Sequence, residues 1–488
     1  MKVFRLHPLA SVLLTLAVSV PFASAQVSLE TRETANRLVG SVYAGPSMTT
    51  LRELSDGFGG RLSGSPAYNH AAEWAAAKFR TYGIQNVRLE PFTMPAGWQR
   101  GSAHGEMLAP MTRPLHVESL GWAPSTPTGG ITGEVVVIED ISADGIKSKA
   151  DKLKGKIAML DTAKIFAEGW IKVWAAVQAS AQHLKDAGAV AMIFPDSDKN
   201  NVINAGSLDW GGHVSVLPGA QLGMEDGELI QRLLEKGPVR VRFELSNTIS
   251  GPMQVNDVVA EIRGRELPDE WIIIGAHLDS WDFGTGAEDN GTGSASVLEV
   301  ARAIAALGKA PRRSIRFALW GGEEEGLLGS YAYVQAHLNE MGKCVAVLNT
   351  DNGSGHPKGW KVEGRKDLKE AMQPISDSLL KDIGGGGLSM EVTYDTDHGP
   401  FMLQGVPALD LEVDMKPYFE LHHKSSDTYD KVDPVDFKAG SAIVVATAWV
   451  IAEDPKPIAG HIDHAAVAEI IKKDGLDELL KEVGQWKP

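Results

Sequence analysis

A single cysteine, Cys344, stands in a chain of 488 residues. No internal disulfide can form, so stability must come from a packed core or from bound metal. Basic residues are also scarce: 47 Lys and Arg face 63 Asp and Glu, a net charge of −16. That sign argues against nucleic acid or an anionic membrane as partner, since both need a basic face. Internal repetition is missing as well; no period of roughly 20–50 residues recurs, which excludes a solenoid.

What remains is a globular composition, 43% hydrophobic and 23% charged, in a chain long enough for two or three cores. The N-terminal "MKVFRLHPLASVLLTLAVSVPFASAQ" sets Lys2 and Arg5 before an apolar run that ends in Ala23-Ser24-Ala25. It reads as a signal peptide, residues 1–25, cleaved after Ala25, and predicts a secreted or periplasmic product with no stable membrane anchor. Residues 26–100 are largely helical by pattern; in "SPAYNHAAEWAAAKFRTYGI" apolar residues recur at helical spacing between Ser65-Pro66 and Gly83. Residues 101–250 change character to short β-rich runs such as "EVVVIED" and "GKIAMLD", which read as an inserted module. Residues 251–455 alternate apolar strands ("WIIIGA", "SIRFALWG", "CVAVLNTD") with helices, the signature of an α/β fold whose mostly parallel sheet is covered on both faces. Residues 456–488 read as a helical tail.

In such sheets ligands collect beyond the carboxyl ends of the strands. Read to their ends, the strands deliver His277-Leu278-Asp279, then Glu323-Glu324-Glu325, then Asp351. The Gly-rich "GAEDNGTGS" after the first would suit a phosphate, yet it lacks the third glycine of a dinucleotide loop, and Glu288 and Asp289 would repel an anion. Carboxylates so crowded favour a cation instead. Of the glutamates, one can ligate metal while a neighbour stays free as a general base. Finally "FELHHKSSDTYDKVD" supplies His422 and His423, a pair uncommon in a chain with 14 histidines, and Asp427 beyond them.

Taken in order, "GAHLDS", "AEDNGTGSA", "WGGEEEGLLGS", "LNTDNGSG", "DHGPFMLQGVPAL" and "HHKSSDTYDKV" resemble the M28 family of di-zinc exopeptidases, from about Asp257 to Ile451. The resemblance implies a zinc-exopeptidase fold with a mixed, mostly parallel central sheet, and the inserted module resembles a protease-associated domain. It further implies two zinc ions, one on His277 and Asp351, the other on Glu324 and His423, with Asp289 bridging. Glu323 would be the general base, Asp279 would orient His277, and His422 would face the scissile carbonyl. Short peptides are the expected substrates, and a homodimer is compatible with the pattern. Two other classes share the fold: a metal-free, receptor-like binding protein, and a single-zinc acyltransferase of the glutaminyl cyclase type. The full ligand set favours the two-metal hydrolase.

Overall fold

The computed structural model describes residues 27–167 and 169–486, so the expected signal peptide lies outside the described residues. The strand Leu267–His277 sits at the heart of the larger sheet because Trp271 to His277 are buried on both faces, which only an uninterrupted apolar run permits. Arg313–Trp320 and Cys344–Asn349 flank it in parallel, and Ala408–Val413 adds a fourth parallel strand beside Cys344–Asn349. Antiparallel strands close both sides: Met253–Ile262 with Asn86–Met94 on one, Pro357–Lys361 on the other, where Gly387–Ser389 forms the edge.

Helices cover the two faces. On one, Pro434–Glu453 and Thr292–Ala306 are almost wholly buried, and Leu29–Ala44 packs against the first through Leu38 and Val42. Asp433 starts the long helix by accepting the Val435 and Asp436 N–H groups, with Pro434 where an N–H would be orphaned anyway. The opposite face packs Trp320, Tyr333 and Phe401 against Val467, Ile471 and Leu480 of the two tail helices, His464–Lys473 and Asp477–Glu482. The helix expected near Ser65 runs Pro66–Thr81, capped by the Ser65 side chain.

Between Met94 and Met253 the chain leaves this sheet and returns to it. Those two residues are register partners, so exit and re-entry are adjacent. The intervening residues build a second eight-stranded sheet, from Ala103–Ala109 to Arg240–Leu245. Its four parallel strands, Ile131–Ile138, Ile157–Leu160, Ala191–Pro195 and Gly219–Leu222, carry separate apolar clusters on their two faces.

Candidate metal centre

His277 ends its strand, Glu323 to Glu325 follow Trp320, and Asp351 follows the strand Cys344–Asn349, so the parallel sheet presents all of them at one edge. Asp289 arrives differently. After His277 the chain loops out and turns back at Gly286, whose φ of +57° is left-handed; a Cβ there would lie 2.3 Å from Ser280 Oγ. A single wide turn, Ala287–Gly291, then leads into the helix Thr292–Ala306. Thr292 and Ser294 have hydroxyls of the kind that cap a helix start. Instead Thr292 bonds back to the Glu288 carbonyl and Ser294 to the His277 carbonyl, while Asn290 Oδ1 accepts the Gly293 N–H at 2.9 Å.

The histidines and acids converge. His277 Nε2 lies 3.0 Å from Asp351 Oδ1 and 3.3 Å from Asp289 Oδ1, with Glu323 Oε2 at 3.9 Å. His423 Nε2 lies 3.0 Å from Glu324 Oε2 and 3.4 Å from Asp289 Oδ2. Asp289 therefore turns one oxygen to each histidine. His422 stacks on His423 with ring centroids 3.6 Å apart, and its Nε2 is 3.7 Å from Asp289 Oδ2. The two neighbouring histidines are the most exposed members of the cluster, and Phe419, 60% exposed, lies beside His422. Nδ1 of His277 faces Asp279 twice, its main-chain carbonyl at 3.0 Å and its carboxylate at 3.5 Å.

Charge in this cluster is out of balance. Burial drives the carboxyls of Glu323 and Glu324 well above the usual range, and their acidic neighbours add to it. Burial also raises Asp351 to about 6. The His277 ring is pushed down by burial but more strongly up by Asp351 and Glu323, ending well above an ordinary histidine. For Asp289, burial is outweighed by its bond to His277 and the fields of His422 and His423, so it stays low. Glu324 Oε1 and Asp279 Oδ1 are buried with no hydrogen-bond partner among the described residues. Imidazole nitrogens and carboxylate oxygens crowded in this way are a zinc donor set, and a divalent cation relieves both the repulsion and the unpaired Glu324 oxygen.

Arg61 and Ser63 hold the site although neither was singled out in the sequence, and Asp427, which was, joins them. Arg61 is fully buried and donates from Nε to the Leu278 carbonyl at 2.7 Å, from Nη1 to Gly59 and Thr285, and from Nη2 to Gly286 at 2.8 Å. It ties the end of the His277 strand to the start of the Asp289 turn. Ser63 donates to Asp279 Oδ2 at 2.8 Å and accepts the Gly322 N–H at 2.8 Å, linking that aspartate to the glutamate loop. Asp427 accepts the N–H groups of Ala287, Glu288 and Asp289 at 2.7–3.1 Å. Two further acids of the same stretch, Asp282 and Glu288, have structural partners. Asp282 pairs with Arg100 through both oxygens, and Glu288 is buried against the Ser354 N–H and hydroxyl.

Known proteins carry the same arrangement of elements. A model described as peptidase family M28 matches residues 257–448. Carboxypeptidase Q of Mus musculus is 30% identical over 425 residues, which cover 86% of this chain and 88% of that protein. Among solved structures, a peptidase M28 precursor from Shewanella amazonensis SB2B superposes with a TM-score of 0.79 at 28% identity, over 89% of this chain and 99% of that one. A zinc aminopeptidase from Bacillus subtilis shares the fold, with a TM-score of 0.65 at 21% identity over 86% of this chain and 97% of that one. With a relative of that identity matched over most of its length, this chain belongs to peptidase family M28 and is a metallopeptidase.

Proposed function

We propose that this metallopeptidase is a di-zinc exopeptidase acting on dipeptides and other short peptides. The observation that carries the reading is Asp289, with Oδ1 3.3 Å from His277 Nε2 and Oδ2 3.4 Å from His423 Nε2. One carboxylate between two histidines suits a pair of cations that share it. His277 and Asp351 would hold one zinc, Glu324 and His423 the other. Such ions supply Lewis acidity to a peptide carbonyl and to an attacking water. Glu323, whose Oε2 lies 3.9 Å from His277 Nε2, takes the proton of that water on its carboxylate and passes it to the departing amine. Burial and the adjacent His423 push His422 down to about 3, so its ring is neutral and has one N–H to offer the carbonyl oxygen. Asp279 keeps the His277 ring oriented through the contacts at Nδ1.

Among the relatives, one is named a carboxypeptidase and another an aminopeptidase, and both names describe removal of a terminal residue. The second sheet is read as the inserted protease-associated domain, and the signal sequence as directing export. Measuring zinc per chain and assaying free, N-blocked and C-blocked dipeptides tests the reading. Two zinc ions and hydrolysis that one block abolishes are expected; one ion per chain, or indifference to both blocks, would reject it. Glu323→Gln should keep its zinc and lose roughly 10²–10⁴-fold in turnover. Near-native turnover in that variant would remove Glu323 from the role of base.

A further inference from the structure

The loop that carries His423 is held from the second sheet. Its backbone is unusual: His423 has φ of +61°, a left-handed conformation that is unfavourable for a residue with a Cβ. The carbonyl of His423 accepts the Ala205 N–H at 2.7 Å, a bond from the inserted unit to the main chain of the histidine itself. The next residue, Lys424, is buried and places its ammonium 2.9 Å from the Phe419 carbonyl, 3.3 Å from the Glu420 carbonyl and 3.1 Å from Asp198 Oδ2. Three acceptors match its three N–H groups, and Asp198 is the only anion among them.

The partner loop is rigid for a visible reason. The Asn204 side-chain amide donates to Asp196 Oδ1 at 2.8 Å and to Asp198 Oδ2 at 2.7 Å, while the Asn204 N–H donates to Asp196 Oδ2 at 2.8 Å. Asn204 thus fixes the carboxylate that faces Lys424, and the residue after it donates to His423. A third contact lies alongside: the Trp281 ring meets His423 edge to face at 5.9 Å and is backed by Trp122 of the inserted segment at 6.4 Å.

We propose that Asp198 is a positioning residue for His423. Through Lys424 and the adjoining Ala205 bond, the loop 196–205 sets the one histidine of the Glu324–His423 zinc site, although the inserted unit gives no ligand of its own. The inference rests on the proposed role of His423 as a ligand. Partners one step behind a metal ligand typically change affinity about 10–100-fold, and Asp198→Asn should therefore weaken one of the two zinc sites by about that factor and spare the other.

The test is zinc competition against a chromophoric chelator, with the thermal midpoint of the zinc-loaded protein recorded beside it. Asp198→Asn should show one weakened site and a thermal midpoint no lower than the weaker zinc binding itself requires, and Asp198→Glu should restore both. Lys424→Met should match the loss of Asp198→Asn, and the double variant should lose no more than either single one. Two sites of native affinity in Asp198→Asn overturn the proposal, as does equal weakening of both sites or additive loss in the double variant. Should Lys424→Met fail to fold, the Asn and Glu substitutions at Asp198 decide it alone. His423→Ala separates the two readings. If it keeps both native affinities, His423 is no ligand; if it loses one site while Asp198→Asn loses none, only the positioning role falls.

Discussion

Arg61 offers the sharpest quantitative test of how the site is held, because everything its guanidinium touches is a main-chain carbonyl. Four of them, on Gly59, Leu278, Thr285 and Gly286, share its donors at 2.7–3.0 Å. Burial lowers its pKa to about 10, with Asp427, Asp279 and Asp289 opposing the fall, so the group is charged at neutral pH. Lysine would keep the charge but offer its donors from one point, and two of the four carbonyls at most fall within its reach. Hydrogen bonds involving a charged group contribute about 1.5–3 kcal/mol each, so losing two of them in Arg61→Lys should cost about 3–6 kcal/mol. A domain is stable by only about 5–15 kcal/mol, so that is a large share. The assay is urea unfolding of the zinc-loaded protein, comparing midpoints at matched slope, together with zinc competition. Arg61 joins the segments that carry His277 and Asp289, the proposed ligands, so zinc should also bind more weakly. A loss under about 1 kcal/mol with native zinc affinity would refute the view that this side chain staples the site.

Other perturbations reach different parts of the molecule. Chelation should lower both turnover and melting temperature, since it restores the repulsion among Asp289, Glu323, Glu324 and Asp351; a metal-stripped protein that melts and turns over as before would contradict the metal assignment. At Gly326, with φ of +111°, an added Cβ would lie 1.7 Å from Trp210 Cδ1, so Gly326→Ala must displace that ring or the glutamate loop. We expect a loss of about 1–3 kcal/mol in unfolding experiments and reduced turnover, and a neutral result would mean Trp210 is not seated there. Away from the centre, His398 is buried 3.4 Å from Glu363; burial lowers its pKa, but Glu363 raises it further, to about 9. A histidine held above its unfolded value lends stability that is full below about 6.5 and lost as pH rises through about 9. Glu363 is itself raised, chiefly by burial, and its titration works in the same direction. The midpoint of unfolding should fall between those limits in the native protein, and Glu363→Gln should flatten that fall; parallel pH curves for the two would sink the pairing.

How far the sequence could be read depended on the range of the interaction. Apolar runs such as Ile272 to Ile274 encode a strand buried on both faces, and the end of a parallel strand is where ligands gather. Those two local facts place His277, the three glutamates and Asp351 on one edge without any knowledge of pairing. The paired histidines needed more, because His423 alone takes a left-handed backbone, and its carbonyl is bonded by Ala205 in another part of the chain. Arg61 was illegible for the same reason: 217 residues separate it from Leu278, and a lone arginine beside glycines has no periodicity to mark it as buried. Ser63 and Asp279 stand 216 residues apart, and Asp427 reaches back 138 residues to Asp289.

The cap of the helix after Asp289 shows the limit at short range. Thr292 and Ser294 have the right chemistry, but the wide turn at Ala287–Gly291 moves the helix start so that Asn290 meets the Gly293 N–H instead. That displacement also sets where the Asp289 carboxylate stands between His277 and His423. Three N–H groups of the turn point at Asp427, which lies only four residues beyond His423, so the turn carrying Asp289 is tied to the loop carrying the second histidine. The spacing from His423 to Asp427 thus has a structural meaning. It is the length of chain needed for one loop to present a histidine to Asp289 and a carboxylate to the backbone beneath it.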